Sequence, residues 1–258
     1  MNKISVGVWT YGACSDRYVS DGYKNRLPLT ERLEHLGKID GVKGIEITYP
    51  CDINEENYSQ YAPLLKKYGL EISSMGVELV CDKQWKTGSF TSPIQEVREN
   101  TVALVKKAMD FAEQIGTEVV SLWLGQDGYD YFMQSDYRQQ WKYLIDGLRE
   151  CAKHNPKIKL GLEYKTTEPR LKCMVSTGGL SLAIAQCTGM DNVGVTMDIG
   201  HALFAGENLA ETATILLAQN RLFHLHVNDN YRIADDDMPI GSVHFLHFIE
   251  FFYWLRKM

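Results

Sequence analysis

Residues 224–238 read HLHVNDNYRIADDDM, and the spacing of their polar groups is what could do chemistry. Asp235, Asp236 and Asp237 are consecutive, shortly after an apolar strand that carries His224 and His226. Two unit charges about 4 Å apart repel by roughly 4 kcal/mol at an effective dielectric of about 20. A chain either spreads such a run into water or gathers it around a cation. In an extended loop, Asp235 and Asp237 point to one side and Asp236 to the other. His224, His226 and Asn228 alternate and therefore share one strand face. His224, the deeper of the two histidines, reads as a hydrogen-bonded core residue. His226 lies nearer the strand end and is the better ligand candidate.

Two earlier strand ends carry related groups. In GLEYK, Glu163 and Lys165 are two apart and share a side; the plain alternative is a buried salt bridge. In TMDIGHA, Asp198 and His201 are three apart, and a strand breaking into a helical turn brings them to one face. The plain alternative there is an Asp helix cap followed by a surface His. Taken together, three successive strand ends carry Glu, then Asp with His, then His with two Asp. Mixed carboxylate and imidazole donors suit a divalent ion, Mn²⁺ or Mg²⁺ first, with Co²⁺ or Zn²⁺ as alternatives. There are ligands enough for two ions, with Asp198 able to bridge them.

The elements that must position these groups follow from periodicity. Short β-branched runs predict strands near Ile4–Trp9, Gly44–Thr48, Leu70–Val77, Glu118–Leu124, Ile158–Tyr164, Val193–Asp198 and Leu222–Asn228. Helical segments separate them. The clearest is Pro93–Ile115, with Ser92 as cap, Gln95 completing a capping box and Gly116 ending it. Its apolar stripe is Val97, Thr101, Leu104, Ala108, Phe111 and Ile115. Regular β-α alternation implies a parallel sheet. Helix-to-strand turns are short, whereas strand-to-helix loops are long, as expected where chemistry sits at the C-terminal face of a (β/α)₈ barrel. The expected fold is α/β, of TIM-barrel type, with about seven βα units in one domain over residues 1–258. The last helix, His244–Arg256, is not followed by an eighth strand, so the expected barrel is incomplete at its C-terminal end.

Composition narrows the classes. The chain has 258 residues, 45% of them hydrophobic, enough for a sizeable core. Its net charge of −6 argues against a nucleic-acid binder, which needs a basic face. Six widely spaced cysteines without a C-x-x-C give no zinc-ribbon or dithiol motif. With no signal-peptide core and no apolar run long enough for a bilayer, the expectation is a cytoplasmic protein without a membrane partner.

With these motifs in order, the sequence resembles the xylose isomerase-like barrel family, and within it the two-metal sugar isomerases. The resemblance rests on VGVWTYG in the first strand, GSFTSPIQEVR entering a helix and LWLGQDGYDY after the fourth strand. It continues in EYKTTEPR after the fifth and in the closing H-x-N followed by three aspartates. It implies that Glu163, Asp198 and His226 hold one metal that grips sugar hydroxyls, and that Asp198, His201, Asp235 and Asp237 hold a second beside the reacting carbonyl. It further implies that Lys165 hydrogen-bonds the oxygen on the terminal carbon and that Trp123 and Phe90 wall off the reacting bond. Trp9 helps line the pocket, and Glu168 orders water or a metal ligand. The implied reaction is aldose–ketose interconversion by a 1,2-hydrogen shift on a free monosaccharide, with a homo-oligomer plausible from relatives.

Three departures from the pattern bear on the substrate. Tyr49, in ITYPCD, stands where xylose isomerases carry a ring-opening His, with Asp52 in the place of its partner acid. Asp198 and His226 replace a Glu and an Asp of xylose isomerases, a pairing closer to rhamnose isomerases. The family's last carboxylate for the first metal belongs to the eighth strand, so that site is expected to lack a ligand. Three rivals follow: a single-metal ketose 3-epimerase, a zinc endonuclease acting on abasic DNA, and a barrel that binds metal or sugar without turnover. The endonuclease is disfavoured by acidic loops, because phosphate binding needs a basic track.

Overall fold

The computed structural model describes residues 4–15, 18–168 and 171–258. Pro169 and Arg170 of the EYKTTEPR segment lie outside the described residues. Seven strands form one curled sheet in sequence order: β1 Ile4–Gly7, β2 Val42–Tyr49, β3 Glu71–Val77, β4 Val119–Trp123, β5 Lys159–Glu163, β6 Val193–Asp198 and β7 Leu222–His226. Each pairs in parallel with its neighbour. Parallel neighbours need crossovers, and helices provide them: α1 Leu29–Gly37, α2 Tyr58–Tyr68, α3 Gln95–Ile115, α4 Tyr137–His154, α5 Gly178–Thr188, and α6 Ile199–Phe204 with α7 Leu209–Ala218; α8 Phe245–Leu255 follows β7. β1 and β7 are the sheet edges, and among the described residues no strand pairs with their outer sides. No helix among the described residues is long and apolar enough to cross a membrane.

Period-2 alternation sorts each strand into two faces. On β2, Ile45 and Ile47 are buried with helix residues such as Leu33, Leu36, Val105 and Ala108 in the apolar core. Glu46, between them, faces the concave side. That side is polar: Ser74 of β3 bonds Glu46, and Ser121 of β4 donates to Thr196 of β6 at 2.9 Å. Gly161 of β5, the strand between them, leaves room for that bond, since a Cβ there would lie 2.3 Å from Thr196 Oγ1.

All seven expected strands form, with ends differing by at most two residues. The first stops at Gly7 because the chain coils into a 3-10 turn, Val8–Tyr11, that lays the Trp9 indole over Gly7. α3 buries Val97, Thr101, Ala108 and Phe111 and ends at Gly116, whose φ of 80° suits glycine. Its start differs from expectation. The helix begins at Gln95, with Ile94 at the cap and no side-chain capping bond. The Ser92 hydroxyl is instead held by Thr87 at 2.9 Å and meets only the Ile94 N–H, at 3.3 Å, so the capping box does not form.

The long loops lie at the C-terminal ends of the strands, as expected. Two of them pair into a small antiparallel sheet of Gly128–Tyr129, Leu171–Cys173 and Thr167–Glu168. This ties the loop after β4 to the loop after β5.

Candidate metal centre

Glu163 ends β5 and Asp198 ends β6, both pointing into the concavity. Asp198 is also the cap of α6: its Oδ1 accepts from the His201 backbone N–H at 2.9 Å. The strand thus breaks into a helical turn that swings His201 over the carboxylates. His201 Nδ1 lies 3.5 Å from Glu163 Oε1 and 3.9 Å from Asp198 Oδ1. From β7, His226 Nδ1 lies 3.3 Å from the same Glu163 oxygen and 3.6 Å from Asp198 Oδ2.

The loop after β7 closes the cluster. Asp229 is stapled to Met238 by two backbone hydrogen bonds, and its carboxylate accepts from Val243 N, His244 N and His244 Nδ1. The loop tip is thereby turned back over the sheet. Asp235 Oδ2 meets His201 Nε2 at 3.1 Å and Lys165 Nζ at 3.0 Å. Asn228 Nδ2 donates to Asp198 Oδ2 at 3.0 Å and to Asp237 Oδ1 at 2.9 Å. Asp236 turns away and accepts from the Tyr231 N–H. The close approach requires Gly200, because a Cβ there would sit 2.2 Å from Asn228 Oδ1.

Glu163, Asp198, His201, His226, Asp235 and Asp237 are therefore brought together. Lys165, only 5% exposed along its side chain, bonds both Glu168 and Asp235 and lies 5.3 Å from the Trp123 ring centre. Trp9 meets the His226 ring edge-on at 6.1 Å.

Other expectations are corrected. Phe90 does not join the site. Ser89 and Thr91 on either side of it both bind Asp127 through backbone and hydroxyl, which turns the ring outward between helices. There it packs so closely on Gly147 that a Cβ would lie 2.6 Å from Phe90 Cδ1. Tyr49 also faces outward, one residue out of phase with the inward positions of β2. It bonds Glu55 and stacks near Phe111. Asp52 pairs with Arg26 and Arg32 rather than with Tyr49. His224 is a hydrogen-bonded interior histidine as expected, held by Glu46 at 2.9 Å. Glu46 itself was not anticipated. Its one signal is a carboxylate at an inward position of the otherwise apolar run GIEIT.

The electrostatics show an excess of acceptors. Burial disfavours charge on Asp237, and the carboxylates of Asp235 and Asp198 add repulsion, raising its pKa to about 6. Burial opposes a charged His201, but Asp198, Asp235 and Glu163 outweigh it and raise its pKa to about 9. His226 is raised well above its ordinary value against the same burial cost, by Glu46, Glu163 and Asp198. Burial likewise works against Asp235, yet His201 and Lys165 hold its carboxyl far below the usual range.

These donors fit a divalent ion. Ligand atoms each about 2.1 Å from one ion, at angles near 90–110°, lie roughly 3.0–3.4 Å apart. The His226–Glu163 spacing of 3.3 Å falls in that range, and His201–Glu163 at 3.5 Å is just outside it. His201 Nδ1 is buried with no hydrogen-bond partner, and so is Asn228 Oδ1. Glu163, Asp198 and His201 offer ligand atoms all within 4.8 Å of one another.

A curled parallel sheet with such a cluster at its strand C-termini defines an α/β protein of TIM-barrel type. The family model described as "Xylose isomerase-like TIM barrel" matches residues 35–258, and the chain belongs to that family. It is 24% identical over 255 residues to the xylose isomerase of Thermus thermophilus, covering 93% of this chain and 66% of that relative, so it spans just under two thirds of the relative's length. Among solved structures it resembles a D-tagatose 3-epimerase-like protein at a TM-score of 0.73, with 22% identity over 99% of this chain and 86% of the other. It also resembles the IOLI protein with a binding zinc atom at a TM-score of 0.69, with 16% identity over 98% and 85% of the two chains.

Proposed function

We propose that this chain is a divalent-metal-dependent sugar isomerase that interconverts an aldose and a ketose by a 1,2-hydrogen shift. The observation that carries the reading is the convergence of Glu163, Asp198, His201 and His226 with both loop carboxylates, Asp235 and Asp237, beside a buried lysine. In this reading Glu163, Asp198 and His226 hold one ion, and Asp198, His201, Asp235 and Asp237 a second. Mn²⁺ or Mg²⁺ suits the oxygen-rich set first, and the zinc bound by the structurally similar IOLI protein keeps Zn²⁺ in play. Bound divalent ions supply electrostatic stabilisation of charge developing on the sugar oxygens.

The protein's own groups have defined tasks. The Lys165 ammonium donates to the carbonyl oxygen at the terminal carbon as charge builds there. Glu168, bonded to Lys165, keeps that ammonium aimed and protonated; burial works against the charge, but Asp235 and Glu168 raise the Lys165 pKa. Trp123 and Trp9 present apolar faces that exclude water, so that hydrogen passes from carbon to carbon rather than to solvent. A free monosaccharide is the proposed substrate, because among the described residues no basic cluster for a phosphate stands beside these groups.

A second reading is a single-metal ketose 3-epimerase, favoured by one feature. Asp235 is already engaged by Lys165 and His201, which leaves Glu163, Asp198 and His226 as a self-contained ion site beside a carboxylate able to move a proton. Deuterium at C2 of an aldose and, in a separate sample, at C3 of a ketose separates the two with Mn²⁺ present. Transfer to C1 within one molecule supports the isomerase, whereas loss of label from C3 to solvent supports the epimerase. Metal uptake without conversion of any sugar tested overturns both.

A further inference from the structure

The proposed ion site leaves open why His226 should present Nδ1 rather than Nε2 to the carboxylates. The neutral ring carries its proton on one nitrogen only, and the partner of the other nitrogen decides which. Below the cluster, Glu46 Oε2 is the meeting point of three groups. Ser74 Oγ lies at 2.5 Å, His224 Nε2 at 2.9 Å and His226 Nε2 at 3.0 Å. Glu46 is 4% exposed, and an ionised carboxylate only accepts. Both imidazoles therefore turn Nε2–H toward it. The opposite edge of the His226 ring then places Nδ1 at 3.3 Å from Glu163 and 3.6 Å from Asp198. At Nδ1 a proton or a cation must separate the ring from these two carboxylate oxygens, and a bound divalent ion takes the proton's place. Trp9 against one edge of the ring and His224, 5.0 Å away and perpendicular, limit its rotation.

We propose that Glu46 is a positioning residue for the metal site: it holds His226 as the Nε2–H tautomer and aims the Nδ1 lone pair into the gap between Glu163 and Asp198. This rests on the metal reading above and assigns a role to a residue outside the ligand set. A carboxylate behind a ligating imidazole fixes its orientation and raises its basicity, and losing it costs about 10- to 100-fold in affinity.

The test uses Zn²⁺, which is diamagnetic, with protein labelled with ¹⁵N at histidine. Long-range ¹H–¹⁵N correlation assigns the protonated and metal-bound nitrogens of His226, and calorimetry gives the Zn²⁺ affinity. The expected wild-type result is Zn²⁺ on Nδ1 and a slowly exchanging Nε2–H. Glu46→Ala should lose that protected proton and bind Zn²⁺ about 10- to 100-fold more weakly. Glu46→Gln keeps an acceptor oxygen and should recover part of the affinity; it also serves if the alanine variant does not fold. Zn²⁺ on Nε2, or an unchanged affinity and Nε2–H signal in both variants, overturns the assignment of Glu46 while leaving the metal reading intact. A wild-type protein that takes up no Zn²⁺ overturns the metal reading and this proposal with it.

Discussion

Asp127 and Asp198 are both buried carboxylates following barrel strands, and their surroundings are opposites. Asp127 receives four hydrogen bonds of 2.5–2.9 Å, from the backbone and hydroxyl groups of Ser89 and Thr91. Burial still pushes its pKa upward, but every partner is a donor and the network closes on itself. Asp198 accepts from the His201 N–H and from Asn228 Nδ2 but shares its space with the carboxylates of Glu163 and Asp237, and the buried Nδ1 of His201 beside it has no hydrogen-bond partner. The first arrangement clamps one loop to another and asks for nothing more. The second leaves acceptors facing acceptors, a state that protons or a cation must relieve. Burial of an acid is therefore not what marks the functional site; the balance of donors and acceptors around it is.

The largest expected effect separates the two regions by activity. Replacing Asp235 and Asp237 together with Ala should lower kcat by at least about 100-fold if the loop carboxylates serve the reaction. The circular dichroism spectrum should stay native. Unchanged turnover would remove the loop from the account. Asp127→Ala should do the reverse, leaving the ligands in place but stranding four donors. Unsatisfied buried groups cost about 1–3 kcal/mol each, so a total loss of at least roughly 4 kcal/mol is expected, read from urea unfolding. A loss below about 1 kcal/mol would show that the clamp is not what the hydrogen bonds suggest.

A third experiment asks which acid a cation needs. Mn²⁺ at a hundredfold excess over Kd should stabilise the wild type by about 2.7 kcal/mol. Asp127→Asn should keep that increment and Asp198→Asn should lose most of it. Equal increments in both would erase the distinction between the regions.

The most graded effect is that of pH on the metal-free protein. His201 has a folded-state pKa of about 9 against an ordinary 6.5. Its proton therefore contributes stability that is complete below about pH 6.5 and is lost as pH rises through about 9. Denaturation midpoints should fall across that window, and the fall should be smaller in His201→Gln, where the raised His226 still contributes its own share. Metal competes with these protons, so stabilisation by Mn²⁺ should grow with pH over the same range.

Much of this molecule is legible without a fold. Period-2 runs such as VGVTMD predict strands, and Gly116 predicts the end of α3. GLEYK, TMDIGHA and the DDD run mark successive strand ends with ligand-type side chains. These are local properties, set by backbone geometry and by neighbours a few residues away. What the tertiary structure alone decided is which face of a strand looks inward and what lies across the concavity. Glu46 meets His226 across 180 residues of chain, while Phe90 and Tyr49 turn outward because Asp127 and the phase of β2 direct them there. No local pattern carries that information, because cross-barrel contacts depend on how the whole sheet curls.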